Sequence, residues 1–327
     1  MAERFEELRR WLADVIPERG IEPRPASSDA SFRRYFRIGT REGSRIVMDA
    51  PPDRESVQRY MQVARKLAAA GVHVPEVYAM DVERGFLLLG DLGDETYLDA
   101  LARGEPAEPL YEDAIATLLR LQARGDPAGL PDYDRALLAR ELAIFREWFL
   151  ERHLAVRLDS VAAAEFARVE TFLVDAALAQ PRVLVHRDYH SRNLMLSEPN
   201  PGVLDFQDAV VGPIAYDLVS LLRDCYVAWP RERVTDWLRG YHARASAAGL
   251  PVGTLADFTR GFDLTGVQRH LKATGIFARL WHRDGKAGYL GDIPRVLDYL
   301  KDVAHGYREL DPLARLIDRE VLPRLAV

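Results

Sequence analysis

Val185-His186-Arg187-Asp188-Tyr189-His190-Ser191-Arg192-Asn193 sets an aspartate and an asparagine in the spacing D-x-x-x-x-N, behind a His-Arg pair and the apolar run Val183–Val185. Downstream, Val203-Leu204 leads into Asp205-Phe206-Gln207, a second carboxylate at the end of a second apolar run. This order matches a phosphoryl-transfer catalytic loop followed by a metal-binding aspartate. The residue types suit the chemistry. Its transition state spreads charge over equatorial oxygens, so a protein has to position the reactants and neutralise charge. Magnesium is a hard cation that takes one or two protein oxygens and completes its shell with phosphate and water. Asn193 and Asp205 offer such oxygens. Asp188 is left to orient an acceptor hydroxyl and take its proton.

The same residues admit two other uses. Asp and Asn are common in surface turns. His186, Asp188 and His190 would share one face of a strand, as a transition-metal set could. The magnesium reading also accounts for Asn193 and Asp205, which the other two leave unexplained. Under it, His186 is a structural hydrogen-bonder beneath the loop, and His190 is the side chain that touches substrate.

Working outward, residues 1–19 carry Phe5, Leu8, Leu12 and Val15 on one helical stripe. Segments 33–38 and 45–49 read as a β-hairpin around Gly39–Gly43, closed by Pro51-Pro52. A helix is expected over 55–70, with Gly71 as its stop. Phe86-Leu87-Leu88-Leu89 reads as a buried strand, broken by Gly90-Asp91-Leu92-Gly93-Asp94. From about 110 the pattern is helical, and the stretch between Pro131 and Pro181 has room for two or three long helices. Short strands are expected at Val183–Val185, Leu194–Leu196 and Val203–Phe206, and helices again from Ile214 onward. The layout implies an α+β chain of two lobes: a small β-rich lobe over 1–90, a hinge at 91–94 and a helical lobe over 95–327. A cleft between lobes is a common ligand site.

Composition narrows the function classes. The 327 residues are 48% apolar and 29% charged, as in an ordinary soluble globule. A formal net charge of −6 argues against nucleic acid as the main partner. The acidic start Met1-Ala2-Glu3-Arg4-Phe5-Glu6-Glu7 does not suit a signal peptide, and no apolar run is long enough to cross a membrane. The cytoplasm is the expected location. The single cysteine, Cys225, follows Leu218, Leu221 and Leu222 at helical spacing and reads as a buried thiol.

The loop, Asp205-Phe206-Gln207-Asp208 and the later Gly212-Pro213-Ile214-Ala215-Tyr216-Asp217-Leu218 resemble the aminoglycoside phosphotransferase and choline kinase superfamily. The resemblance implies a two-lobed protein-kinase-like fold, ATP and Mg²⁺ as cofactors, and a small-molecule hydroxyl as acceptor. It also implies that Asp217 buttresses the catalytic loop. The other use of Asp217 is as a favourable charge at a helix N-terminus. Three stretches draw the chain towards bacterial members that phosphorylate the C1 hydroxyl of N-acetylmuramate and N-acetylglucosamine in cell-wall recycling: Val47–Pro52, Asp205–Pro213, and Gly266–Lys272 with Gly275–Leu280.

In that fold the phosphate-covering loop falls at 27–36. Ser28, Asp29, Ala30 and Ser31 are small enough to let backbone N–H groups reach phosphate, or they form a polar turn. The strand lysine of kinases has no counterpart, since Met48 stands near its position. Arg33 or Arg34 either supplies the missing charge or is a solvated surface charge, and Glu55 then has no ion-pair role. Leu88-Leu89-Gly90-Asp91-Leu92 resembles the purine-binding hinge. On the acceptor side, residues 265–286 hold Arg269, Lys272, Arg279, Arg283 and Lys286 against Asp284 alone. Such a stretch suits an anionic or neutral acceptor better than a cationic one, unless it is a solvated helix face. Arg269 or Arg279 is expected to meet a sugar acid. Asp208, Asp224, Tyr226, Trp229 and Trp281 are further candidates for a sugar pocket. The rivals are kinases of aminoglycosides, choline, thiamine or homoserine, and a non-catalytic ATP-binding scaffold.

Overall fold

The computed structural model describes residues 2–18, 20–27, 33–53 and 56–325. The N-terminal lobe is built on one antiparallel sheet. Its strands are β1 (Arg24–Ser27), β2 (Arg34–Thr40), β3 (Gly43–Asp49), β4 (Val77–Asp81) and β5 (Phe86–Gly90), in the order β1-β2-β3-β5-β4. The β2–β3 hairpin turns at Arg41-Glu42, where Gly43 takes a positive φ. Helix α1 (Ala2–Val15) lays Leu8, Trp11 and Leu12 against Phe36, Val47 and Leu88. On the opposite face, α2 (Val57–Ala69) packs Tyr60, Val63 and Leu67 with Met48, Leu87 and Leu89. Strand β5 is therefore buried on both faces, which is why its sequence is apolar throughout instead of alternating. Helix α2 starts where the Ser56 hydroxyl accepts the Arg59 N–H, and it stops at Gly71 with φ +80°.

The second lobe is helical. It runs through α3 (Tyr97–Ala102), α4 (Ala107–Arg124), α5 (Arg135–Ile144), a π-helical stretch Phe145–His153, and α6 (Ser160–Leu178). Strands β6 (Arg182–Val185), β7 (Leu194–Met195), β8 (Gly202–Val203) and β9 (Val210–Pro213) interrupt, before α7 (Tyr216–Leu222), α8 (Arg231–Ala247), α9 (Leu255–Asp284) and α10 (Ile293–Ala304). The spine is α9, 30 residues long, started by Thr254 and stopped by Gly285 in the left-handed region. It crosses the junction of α5 and the π-helical stretch at Gly275. A Cβ there would meet the Ile144 carbonyl carbon and the Phe145 nitrogen at 2.6 Å.

The strand expected over 203–206 ends at Val203, because Asp205 takes φ +59°, which no strand tolerates. Strands β1, β4 and β9 were not expected. The first contains Pro25, and the second alternates only half-buried with exposed residues. One apolar core runs from Met48 and Tyr60 through to the far helices, so the two lobes share packing. Cys225 is buried, as its spacing implied. No helix among the described residues is long and apolar enough to cross a membrane.

Candidate active site

The two small strand pairs, β6–β9 and β7–β8, hold the loops that carry the chemistry. Strand β6 delivers the chain to His186. There Asp217, fully buried in the first turn of α7, accepts the backbone N–H of His186 at 2.7 Å and of Arg187 at 2.9 Å. Arg187 is bent into the left-handed region at φ +80°. Asp205, on which the charge of Asp188 acts, is also in that region at φ +59°, and each of the two carries about 1–3 kcal/mol of strain. The His186 ring lies beneath the loop. Its Nδ1 accepts the Asp188 N–H at 3.3 Å, so Nε2–H donates to the Leu204 carbonyl at 2.9 Å. Both ring nitrogens are thus engaged, which removes the transition-metal reading of His186, Asp188 and His190. Among the described residues no cluster of three His, Cys, Asp or Glu side chains could hold a metal ion.

Asn193 donates its side-chain N–H to the Asp188 carbonyl at 2.9 Å, leaving its amide oxygen for another partner. The Leu204 N–H donates to the Asn193 carbonyl at 2.9 Å and ties that residue to the Asp205 segment. Asp205 accepts from Gln207 Nε2 at 2.7 Å and lies 3.7 Å from Arg33 Nη1. From the other lobe, Arg59 of α2 donates to the Gln207 carbonyl at 2.8 Å, and Tyr60 packs on Phe206 at 4.8 Å between ring centres. An amide oxygen and a carboxylate brought together by these bonds suit a cation that takes its remaining ligands from phosphate and water.

The carboxylates are driven apart in acidity. Burial alone would raise the Asp188 carboxyl, but Lys272 foremost, then His190, Arg269 and Arg187, hold it well below the usual range, so it stays ionised. Crowding in the cleft and then the charge on Asp188 push the Asp205 carboxyl up even though its side chain is about half exposed, with Gln207 and Arg33 opposing. Burial lowers His190 to about 4, so its ring is neutral at pH 7.

On the nucleotide side, Ser28, Asp29, Ala30, Ser31 and Glu55 lie outside the described residues. The two arginines part company. Arg33 reaches the Asp205 carboxylate, whereas Arg34 turns to the fully buried Asp49, with Nε 3.0 Å from Oδ2. Arg4 of α1 grips the same Asp49 at 2.7 Å. Arg34 is therefore a structural partner of a buried carboxylate, and only Arg33 faces the cleft. Met48, expected near the place of the kinase lysine, is fully buried. At the expected hinge, the Gly90 N–H donates to the Glu76 carbonyl at 2.7 Å. The Asp91 carboxylate accepts from Arg37, Ser44 and the Gly93 N–H. Leu92 packs against Gly202, where a Cβ would lie 2.8 Å from Leu92 Cδ1. The side chains of Asp91 and Leu92 thus fix the linker in place.

The acceptor candidates also divide. Asp188, His190 and Arg269 line one cleft with Lys272, Tyr226 and Phe277. Arg269 and Lys272 are buried, so this part of the stretch is no solvated face, whereas Arg283 is exposed and bonded to Asp284. Arg279 stands about 15 Å further along α9, under the influence of Arg283 and Asp284, and lines no part of the cleft. Asp224 is fully buried, its oxygens accepting the Ser191 and Tyr226 N–H groups at 2.9 Å. It braces the loop and presents no face to a ligand. Asp208 is exposed beside the Gln207 turn. Trp229 donates to the Tyr111 hydroxyl in an aromatic cluster, and Trp281 is on the surface, so Tyr226 is the aromatic of the set that reaches the cleft.

Sequence reasoning missed the hub beneath. Glu141, buried on α5, ion-pairs with Arg187 and, at 3.0 Å, with Lys272, and it accepts from the Tyr133 hydroxyl. The signal was available: an acid between Leu138 and Leu142 on an apolar helix face.

Residues 22–253 match the family described as Phosphotransferase enzyme family. The chain is 51% identical over 326 residues to the N-acetylmuramate/N-acetylglucosamine kinase of Pseudomonas aeruginosa, covering 96% of each. The choline kinase LicA from Streptococcus pneumoniae superposes with a TM-score of 0.67 at 11% identity, over 92% of this chain and 99% of that one. The ADP-bound aminoglycoside phosphotransferase APH(2'')-Ib superposes with a TM-score of 0.60 at 16% identity, over 92% and 98%. The α+β, two-lobed fold is thus of the protein-kinase-like kind.

Proposed function

The chain belongs to the phosphotransferase enzyme family, and on that premise we propose that it transfers the γ-phosphate of ATP to the anomeric (C1) hydroxyl of N-acetylmuramate and N-acetylglucosamine. The observation that carries the proposal is an ionised Asp188 in one cleft with Arg269 and Lys272, next to Asn193 and Asp205. Residues 1–90 form the nucleotide side, 91–94 the hinge and 95–327 the catalytic and acceptor side. Asp188 orients the sugar hydroxyl and receives its proton as the oxygen attacks phosphorus. Asn193 and Asp205 are the residues that would hold Mg²⁺, which when bound would neutralise charge developing on the phosphates. Asp217, Asp224 and His186 keep the loop in register through its backbone. Arg33 faces the phosphate side of the cleft and takes the place of the absent strand lysine.

The cleft's own charge speaks against a cationic acceptor such as choline or an aminoglycoside, because its lining sets two cations, Arg269 and Lys272, against the one carboxylate of Asp188. The test is direct. Incubation with ATP, magnesium and N-acetylmuramate should give a phosphorylated sugar that has lost its reducing end. A product that keeps its reducing end moves the phosphate to another hydroxyl and rejects the anomeric assignment. Binding of ATP with no transfer to either sugar would favour a scaffold.

A further inference from the structure

We infer that Arg269 is the specificity-determining residue of the acceptor pocket, reading a carboxylate on the sugar while His190 hydrogen-bonds a neutral group beside it. The inference rests on the acceptor reading above and adds which end of the sugar the protein recognises.

Arg269 differs from the buried and half-buried cations around it. Lys272 and Arg187 share Glu141, and Arg223 has Asp263 at 2.6 Å. Arg269 is only 5% exposed, yet among the described residues no carboxylate lies within 4 Å of it. Its recorded hydrogen bond goes from Nη1 to the Cys225 sulfur at 3.4 Å, and a thiol is a weak acceptor. Asp188 and Asp224 act on it only at longer range. A buried guanidinium without an adjacent carboxylate is an unfavourable arrangement for the free protein. It is a sound one for a site whose ligand brings the carboxylate, because the planar fork can grip both oxygens at once.

His190 is the second, independent sign. It is 8% exposed, and its Nδ1 is fully buried with no hydrogen-bond partner. The ring packs edge-on against Tyr226 and lines the same cleft. Its depressed pKa keeps it neutral near pH 7, so it can accept from a hydroxyl or donate to a carbonyl without adding charge. Along α9, Arg269, Ala273 and Ile276 line the cleft at helical spacing, the first polar and the others apolar. N-acetylmuramate differs from N-acetylglucosamine by a lactyl ether ending in a carboxylate. With C1 at Asp188, that carboxylate is the group the Arg269 fork would take, and the acetyl methyl has the apolar side of α9 to lie on.

The test compares kcat/KM for the two sugars. In R269M the value for N-acetylmuramate should fall at least tenfold further than that for N-acetylglucosamine, mostly through KM, and R269K should recover part of the difference. An unchanged ratio of the two sugars in R269M overturns the inference. A second measurement needs no variant. The wild-type protein should use N-acetylmuramate at least tenfold better than the same sugar with its lactyl carboxylate converted to the primary amide. Equal use of acid and amide also overturns it. Failure of the wild-type protein to phosphorylate either parent sugar would be a different result, which removes the acceptor reading and this inference with it.

Discussion

Arg33 and Arg34 are neighbours in sequence with opposite tasks. Arg34 sits on β2 and pairs with Asp49 of the adjoining strand, which is completely buried and depends on Arg34 and Arg4 for compensation. Arg33, one residue earlier, is on the cleft side against Asp205. Changing Arg34 to Ala should therefore lower stability by about 1–3 kcal/mol, below the cost of isolating a buried charge completely because Arg4 remains, with the ATP KM nearly unchanged. Arg33→Ala should do the reverse, raising the ATP KM about tenfold with little effect on stability. Urea unfolding and initial-rate kinetics on the two variants check the pair, and a common effect on KM would reject the division. Nothing in the sequence distinguishes the two arginines, because the difference lies in which side of the sheet each reaches. The catalytic loop, by contrast, was legible because Asp188, Asn193 and Asp205 are set by local spacing and by two short strands. Glu141 and Lys272 were not read as partners, since their meeting is decided by how α5 crosses α9.

Among the elements, α9 governs the acceptor side. Its close approach to the backbone at Ile144–Phe145 depends on Gly275 having no side chain, and the same stretch is where α5 gives way to π-helical turns. Such turns are often found next to functional sites. Gly275→Ala would gain about 1 kcal/mol of helix propensity, but it would drive a methyl group into backbone that cannot move aside. Overpacking of this kind costs about 1–3 kcal/mol. The variant should melt lower than wild type and show a raised acceptor KM, because Arg269 and Lys272 ride on the displaced helix. A higher melting temperature would mean that the crossing has room. The element pattern itself was largely readable: α2, the β2–β3 hairpin and β5 follow from periodicity and from Gly71 and Pro51-Pro52. The misses have physical causes. Val203–Phe206 looked like one strand because apolar sequence does not reveal the left-handed turn at Asp205, and β1 hides behind a proline.

At the scale of the whole molecule, histidines of lowered pKa outnumber raised carboxyls among the described residues. Burial lowers His153, His186, His190 and His270, with His190 at about 4 and His270 at about 3. An unfolded histidine titrates near pH 6.5. As pH falls through that value the unfolded chain takes up protons that the folded chain refuses, so this part of the stability is full above about pH 6.5 and is lost below it. Burial raises Glu170 and raises the fully buried Asp217 to about 6, and the half-exposed Asp205 is raised as well. Their contribution has the opposite sign, being greatest at low pH and lost as pH rises through about 6. Four histidines against three carboxyls leave a net fall in stability on acidification. The urea midpoint, measured without magnesium or nucleotide, should be lower at pH 5.5 than at pH 7.5. A midpoint that rises on acidification would mean that the histidines are not buried in the neutral form.

All of this converges on one carboxylate, held ionised by the cations around it and braced from below by His186 and Asp217. The most direct test is Asp188→Asn, which keeps the shape and removes the base. The variant should bind nucleotide with a dissociation constant within about threefold of wild type, while kcat for N-acetylmuramate drops by about 10²–10⁴. A kcat within tenfold of wild type would contradict the assignment of Asp188, and with it the account of how this cleft transfers phosphate.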